Sequence, residues 1–238
     1  QILPQMHKIS LPDWVSAKHG FLLITVGLIK KTGADLLAIP AQKAFEAQEA
    51  LSTLELWTGV LAFTGQIYGD FSGYTDMAIG IALLLGFKIP LNFRVPYFSL
   101  SPVDFWRRWH ISLSSWLKDY LYISLGGNRN NHRTRNVFIT MLLGGLWHGA
   151  AWTFVMWGVF HGVIITATHW LASVEIFKPF NQSKSPIVKV IKWVLTFYLI
   201  MIGWVFFRAA DMDIAFNMLA NLHSFNPDIA LGRNALSI

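Results

Sequence analysis

Two histidines have surroundings that could support chemistry. His148 lies within residues 136–174, a stretch that contains no Asp, Glu, Lys or Arg. His110 comes 38 residues earlier, directly after Trp109 and two arginines. A neutral imidazole near pH 7 can take a proton from an attacking hydroxyl, which makes either residue a candidate general base. Residue types alone leave other interpretations open: a hydrogen-bonded structural histidine for His148, and a histidine at a membrane interface for His110.

A cluster of polar residues interrupts the next apolar run. Residues 56–87 are apolar apart from a short stretch that contains Asp70, Tyr74 and Asp76. Ionisable groups at membrane depth usually face a cavity or a partner, so we expect these three side chains to line a tunnel. The alternative is that the two aspartates only cap or bridge helices. The sequence indicates no basic partner for them inside the membrane.

Several other chemistries lack their sequence patterns. The chain has no cysteine, which excludes disulfides, thiolate metal ligands and cysteine nucleophiles. It has no His-Glu-x-x-His motif, no Gly-x-Ser-x-Gly elbow and no glycine-rich phosphate loop. His161 follows His148 by 13 residues, which on an unbroken helix would turn it about 220° away. We therefore predict no metal site and no bound cofactor, and we do not expect His161 to join His148.

The composition indicates a membrane protein. Hydrophobic residues make up 54% of the 238 residues and charged residues only 13%, whereas soluble domains carry about 25% charged residues. So few charges could not cover the surface of a soluble fold, but a lipid bilayer accepts apolar side chains. Tryptophan and phenylalanine, with 11 and 18 copies, are typical of membrane interfaces and apolar tunnels. The predicted fold class is all-α, a polytopic transmembrane helical bundle.

The net charge of +6 is confined to residues 88–135, because the rest of the chain has equal numbers of basic and acidic residues. The positive-inside tendency favours a cytoplasmic membrane surface for this basic segment. A second interpretation is that part of it meets an anionic acyl donor or a carrier protein. Nucleic acid is not an expected partner, because the basic residues alternate with aromatic residues of a membrane-like chain.

The elements that would position these side chains follow from apolar length and from proline. Residues 104–122 predict one amphipathic interfacial or re-entrant helix, with Trp106, His110 and Ser114 on one face. Residues 136–174 are long enough for two membrane spans, with His148 inside a helix. We expect Lys30 and Lys31 to extend toward the interface. The remaining helix predictions are one helix each over 20–39 and 193–207, one long helix or two short ones over 56–87, and an amphipathic helix or connector over 40–55. We also predict an irregular start at 1–19, loops over 88–103, 126–135 and 175–192, and a short helix with an irregular tail over 209–238.

Four motifs carry a resemblance to a known family. Residues 68–80, 105–125, 126–129 and 145–154 are similar, in order and spacing, to the signature motifs of the membrane-bound O-acyltransferase (MBOAT) family. The match covers about residues 54–170. The closest branch O-acetylates exported polysaccharides such as alginate, and the branch that transfers D-alanine in teichoic acid synthesis is more distant.

The resemblance implies a fold and a set of site residues. The fold would be a partial MBOAT bundle with interfacial or re-entrant helices, forming a single membrane domain over residues 1–238. His148 would be the catalytic base, and His110 would orient the acyl group or polarise its carbonyl. The resemblance and the surrounding residue types together predict these substrate-binding residues: Trp147, Trp109, Asp70, Tyr74, Asp76, Arg108 and Ser114.

The resemblance also implies partners and a location. The protein would lie in the bacterial inner (cytoplasmic) membrane, in contact with membrane lipid, as a multi-pass protein. It would take an acyl group from a cytoplasmic donor such as acetyl-CoA or a carrier thioester, and a periplasmic or membrane-anchored acetyltransferase would help deliver it to a polysaccharide. Members of this branch begin with several further spans, so we expect the sequence to be a fragment.

Two other functions remain open at this point. The first is a non-enzymatic component of a transporter or flippase, which would need a polar path with matched charges through the membrane. The second is an acyltransferase that acts on a lipid, a teichoic acid or a protein.

Overall fold

The computed structural model describes residues 3–7, 11–129 and 132–224, and within these ranges it forms helices and connections without a strand. The all-α prediction is therefore confirmed. The helices are α1 (Leu3–Met6), α2 (Trp14–Glu46), α3 (Thr53–Leu84), α4 (Pro102–Arg108), α5 (Ile111–Trp116), α6 (Arg133–His148), α7 (Trp152–Ser173), α8 (Lys178–Gln182), α9 (Pro186–Arg208) and α10 (Met212–His223). Short 3₁₀ turns cover Gln48–Ala50, Pro96–Phe98 and Glu175–Phe177, and one π-helical segment covers Leu117–Tyr122.

Helices α2 and α3 form a long antiparallel hairpin. The Oδ1 atom of Asp13 accepts a hydrogen bond from the Ser16 N–H at the start of α2, and Ser52 and Glu55 form a reciprocal capping box at the start of α3. Helix α2 continues through Pro40 to Glu46. The predicted helix end near residue 40 was therefore wrong, because packing against α3 outweighs the cost of a proline in a helix interior.

Small residues let the two helices of this hairpin approach closely. Gly20, Gly27, Ala34 and Ala41 recur every seven residues along α2 and are all buried. A Cβ atom added to Gly73 of α3 would lie 2.7 Å from the Gly27 carbonyl oxygen. Backbone thus meets backbone along the seam, in the way that small residues allow in membrane helix pairs.

An aromatic core joins the remaining helices. Phe105 and Trp109 from the α4 region pack against Trp204 of α9, with ring centroids 6.3 and 4.9 Å away. Trp157 of α7 stacks on Trp204 at 6.5 Å. All four rings are buried, so the aromatic side chains fix the positions of α4, α7 and α9 together.

Residues 104–122 do not form the single helix that was predicted. Helix α4 ends at Arg108, and His110 then adopts a left-handed conformation with φ 44° and ψ 55° before α5 begins. The loop that contains Asn92 and Arg94 forms backbone hydrogen bonds on both sides of this break. The Arg94 N–H donates to the Arg108 carbonyl, and the Ile111 N–H donates to the Asn92 carbonyl. Since the chain turns at His110, Trp106, His110 and Ser114 do not share one helical face.

Residues 136–174 fall on two helices, but only α7 of this pair is a candidate membrane span. Helix α6 has 16 residues, and His148 is its last residue rather than an interior one. Helices α7 and α9 are each long and apolar enough to cross a membrane. The predicted loop over 175–192 contains α8 and the first turns of α9. The short helix predicted after residue 209 is α10, and the predicted irregular tail falls outside the described residues beyond 224.

A pair of glycine substitutions tests the close packing of the hairpin. Gly33→Ala should leave the packing intact and favour helix by up to about 1 kcal/mol, because a Cβ at Gly33 meets no atom within 4 Å. Gly73→Ala should instead destabilise the protein by roughly 1–3 kcal/mol through overpacking. Thermal unfolding of the purified protein in detergent would measure both. Equal melting temperatures for the two variants would contradict close contact along this seam.

Candidate active site

One cavity is lined by most of the site residues that were predicted from the sequence. Its volume is about 510 Å³, and six predicted residues line it: Asp70, Tyr74, Trp109, His110, Trp147 and His148. The other lining residues are Ile67, Phe71, Trp157, Trp204 and Phe207. The cavity is therefore an aromatic chamber that holds two imidazoles and one carboxylate.

The His148 imidazole is held at the end of α6 by aromatic rings from α7 and α9. Its ring centroid lies 5.3 Å from that of Trp157, 5.0 Å from that of Phe207 and 6.0 Å from that of Phe154. The next residue is Gly149, where an added Cβ would lie 2.9 Å from the Phe154 ring. A glycine is needed here because the chain passes against this ring as it turns from α6 into α7.

The His110 imidazole faces the same chamber from the break between α4 and α5. Its ring centroid lies 4.6 Å from that of Phe71. Trp147 connects the two histidines, because its indole lies 6.4 Å from the His110 ring and 5.0 Å from the His148 ring. Neither imidazole has a hydrogen-bond partner in the described part of the chain, so the ring nitrogens are available to a substrate.

Burial favours the neutral form of the His110 imidazole. Burial lowers the pKa of its imidazole to about 4, and the nearby His148 contributes to the decrease. A neutral imidazole carries one N–H donor and one acceptor nitrogen. His110 can therefore donate a hydrogen bond to a carbonyl oxygen without bringing a positive charge into an apolar chamber.

Asn92 holds the strained turn at His110. A left-handed conformation costs a residue with a side chain roughly 1–2 kcal/mol, so other contacts must stabilise it. The Asn92 Oδ1 atom accepts hydrogen bonds from the N–H of Ser112 at 3.1 Å and from its hydroxyl at 2.9 Å. With the bond from the Ile111 N–H to the Asn92 carbonyl, three donors just after His110 are bound to one residue.

The two aspartates of α3 have basic partners, which corrects the expectation that they lack them. The Lys30 ammonium lies 2.6 Å from Asp76, and the Lys31 ammonium lies 2.9 Å from Asp70. The two lysines therefore bridge α2 to α3 instead of extending toward the interface. Asp70 still lines the chamber, whereas Asp76 does not. The periodicity of each helix alone could not indicate which residues meet across the hairpin.

Arg108 and Ser114 lie outside the chamber. The Arg108 Nε atom donates to Asp104 at 3.0 Å, and the Ser114 hydroxyl donates to the Trp109 carbonyl at 3.1 Å. Ser114 faces a different cavity. Ser114 lies outside the chamber because the break at His110 turns α5 away from the direction that a continuous helix would follow.

Five chamber residues were not identified from the sequence. They come from three helices far apart in the chain: Ile67, Phe71, Trp157, Trp204 and Phe207. Only Trp157, nine residues after His148 in an aromatic-rich stretch, had a local signal. His161 is fully buried and its Nδ1 atom accepts a hydrogen bond from the Trp106 indole at 3.2 Å, so it does not line the chamber. No cluster of three metal-binding side chains occurs among the described residues.

Comparison with known proteins identifies the family. The model of the MBOAT, membrane-bound O-acyltransferase family, matches residues 11–210. The chain is 50% identical over 202 residues to a protein named probable alginate O-acetylase AlgI from Azotobacter vinelandii. It is 42% identical over 210 residues to a peptidoglycan O-acetyltransferase from Helicobacter pylori, and 30% identical over 155 residues to a teichoic acid D-alanyltransferase from Bacillus subtilis.

The chain belongs to the membrane-bound O-acyltransferase family, and it is a membrane protein. These matches cover 84%, 87% and 59% of the chain, in the order given above. They cover 39%, 39% and 38% of the three relatives. The chain thus spans about two fifths of the length of the curated relatives it matches.

Substitution of Asn92 tests how the His110 turn is held. Asn92→Ala removes the acceptor of two hydrogen bonds, so we expect the Ser112 amide to exchange with deuterium faster. The Gly126 amide, which donates to the Ile123 carbonyl, serves as an internal control and should keep its exchange rate. Hydrogen–deuterium exchange followed by mass spectrometry would measure both peptides. Unchanged exchange at residues 110–112 would contradict the role of Asn92.

Proposed function

We propose that the protein transfers an acyl group, most simply acetyl, from a thioester donor to hydroxyl groups of an exported polysaccharide such as alginate. The observation that carries this proposal is the aromatic chamber that both His110 and His148 line, with the indole of Trp147 close to both imidazoles. The names of the relatives, which describe acetyl and D-alanyl transfer, support the same class of reaction.

His148 acts as the general base of the proposed reaction. Its imidazole takes the proton of the acceptor hydroxyl while the hydroxyl oxygen attacks the thioester carbonyl carbon. A C–O bond forms, the tetrahedral intermediate collapses, and the C–S bond breaks. The proton held by His148 then passes to the leaving sulfur, so that the products are an ester and a free thiol. General-base help of this kind accelerates a reaction about 10²- to 10⁴-fold.

His110 acts on the carbonyl. As a neutral imidazole it donates a hydrogen bond to the carbonyl oxygen, where negative charge develops in the transition state. The strained turn fixed by Asn92 sets the direction of the ring before the substrate arrives. Aromatic rings form most of the chamber lining, and they would limit the access of water to the thioester and so reduce its hydrolysis.

The chamber has room for the reacting groups of both substrates. Its volume of about 510 Å³ accommodates a short acyl group with the end of its thioester, together with an acceptor hydroxyl. Acetyl-CoA or a carrier thioester would supply the acyl group from the cytoplasm, and a periplasmic or membrane-anchored acetyltransferase would act as a partner that presents the polysaccharide hydroxyl.

The proposed location is the bacterial inner membrane, as a multi-pass protein in one membrane domain. Helices α7 and α9 have the length and apolarity of spans, and α2 and α3 are longer still. The basic segment over 88–135 would lie on the cytoplasmic side. Transfer to a lipid, a teichoic acid or a protein uses the same chemistry and differs only in the acceptor. The acetyl content of the exported polysaccharide therefore distinguishes the proposed function from these three alternatives.

One observation bears on the transporter alternative. The pairs of Lys30 with Asp76 and of Lys31 with Asp70 are the matched charges that a polar path would need. They join α2 to α3 side by side, however, and only Asp70 reaches the chamber. A flippase would carry no acyl group, so acyl transfer from a radiolabelled thioester by membranes containing the protein separates the two functions.

Removal of the His148 imidazole tests the proposal. His148→Ala should lower acetylation of the exported polysaccharide by at least about 10²-fold, because the general base is lost. His19→Ala is the matched control, since His19 is an exposed residue of α2 outside the chamber. Acetyl content would be measured by mass spectrometry of the polysaccharide, with membrane levels of each variant checked by immunoblot. Normal acetylation by His148→Ala would contradict the proposed mechanism.

A further inference from the structure

A second cavity lies between α4, α6, α7 and the π-helical segment. Its volume is about 380 Å³. Three cationic side chains line it: Arg107, Lys118 and Arg133. No carboxylate lines the cavity, so its local charge is strongly positive.

These three cations have no ion-pair partner within the described ranges, in contrast to their neighbour Arg108. Arg108 is next to Arg107 in sequence, yet its guanidinium pairs with Asp104 at 3.0 Å. Arg107, Lys118 and Arg133 are exposed, and the repulsion among their positive charges is a free-energy cost that a bound anion would offset. Arginine in particular matches the oxygen geometry of a phosphate group.

Part of the cavity wall is apolar, which restricts the kind of anion, although polar side chains also line it: Ser114, Tyr122, Asn128, Thr140 and His169. Carbon-rich side chains from four elements form its wall: Val103, Leu117, Val137, Met141 and Ile165. A free inorganic ion would leave this wall uncovered. A ligand that combines a phosphate with an apolar chain would satisfy the cations and cover the wall at the same time.

We propose that this cavity binds an anionic phospholipid, with its phosphate at Arg107, Lys118 and Arg133 and part of an acyl chain along the apolar wall. Basic cavities between membrane helices bind anionic headgroups in this way. A zwitterionic headgroup such as phosphocholine fits less well, because its own cation is repelled by the three positive side chains. This inference is independent of the proposed function.

The same cavity is not placed to present a thioester to the imidazole chamber. Trp106 lines the cationic cavity and Trp157 lines the chamber. Their rings pack edge to face with centroids 5.5 Å apart, and the Trp106 indole is fixed by its hydrogen bond to His161. A wall of packed rings thus separates the two cavities, which favours a lipid over the acyl donor as the occupant.

Lipid binding to the purified, delipidated whole protein tests this inference. The measurement is the affinity for dioleoylphosphatidylglycerol in mixed micelles, compared with dioleoylphosphatidylcholine. We expect tighter binding of the anionic lipid. The double variant Arg107→Gln with Arg133→Gln should weaken its binding by roughly 30-fold, since each basic residue contributes about fivefold to anionic lipid binding. Arg108→Gln, the matched control, should bind it as the unmodified protein does.

Three outcomes would overturn the inference: equal affinity for the two lipids, an equal loss in Arg108→Gln, or displacement of the anionic lipid by coenzyme A or by inorganic phosphate. The last outcome would assign the cations to a soluble phosphate ligand. The single variant Lys118→Gln, with an expected loss of about fivefold, provides a second test should the double variant fail to fold. Elution as a single peak in gel filtration identifies the folded variants.

Discussion

The structure depends on two helix breaks that bring imidazole rings into one apolar chamber. In a regular helix every residue has a right-handed backbone conformation, and its side chain points outward at a fixed angle. The left-handed conformation of His110 is therefore possible only where the helix is interrupted. His110 occupies a left-handed position between α4 and α5, and His148 ends α6 just before Gly149. The hydrogen bonds that Asn92 accepts and the rings around His148 hold these two breaks in place.

The rest of the bundle keeps these breaks from relaxing. The α2–α3 hairpin approaches backbone to backbone through Gly27 and Gly73, and its paired lysines and aspartates satisfy the charges that would otherwise be unpaired at membrane depth. Helix α3 in turn supplies Phe71, whose ring contacts His110 at 4.6 Å. Helix α9 supplies Phe207, whose ring contacts His148 at 5.0 Å. Packing far from the chamber thus positions its reactive groups.

The sequence predicts the parts of the fold that depend on local composition. Long apolar runs and charge-free residues 136–174 predict helices. The histidines with their neighbouring tryptophans, together with Asp70 and Tyr74, predict six of the eleven residues that line the chamber. Contacts between distant segments are not predictable in this way. The loop at Asn92 breaks a helix that periodicity favours. Lys30 and Lys31 pair with aspartates 46 and 39 residues further along the chain, and Phe207 contacts His148 from a helix that is not its neighbour in sequence. Each depends on tertiary packing, which no local pattern records.

The most direct test of the central claim is a structure of the whole protein with a non-hydrolysable ketone analogue of the acetyl thioester donor. The two imidazoles are expected to meet the reacting group inside one chamber. The carbonyl oxygen of the analogue should therefore lie within hydrogen-bonding distance of His110, with the carbonyl carbon beside the His148 ring and the aromatic rings around both. An analogue bound with its carbonyl outside this chamber, or in contact with neither imidazole, would contradict the claim.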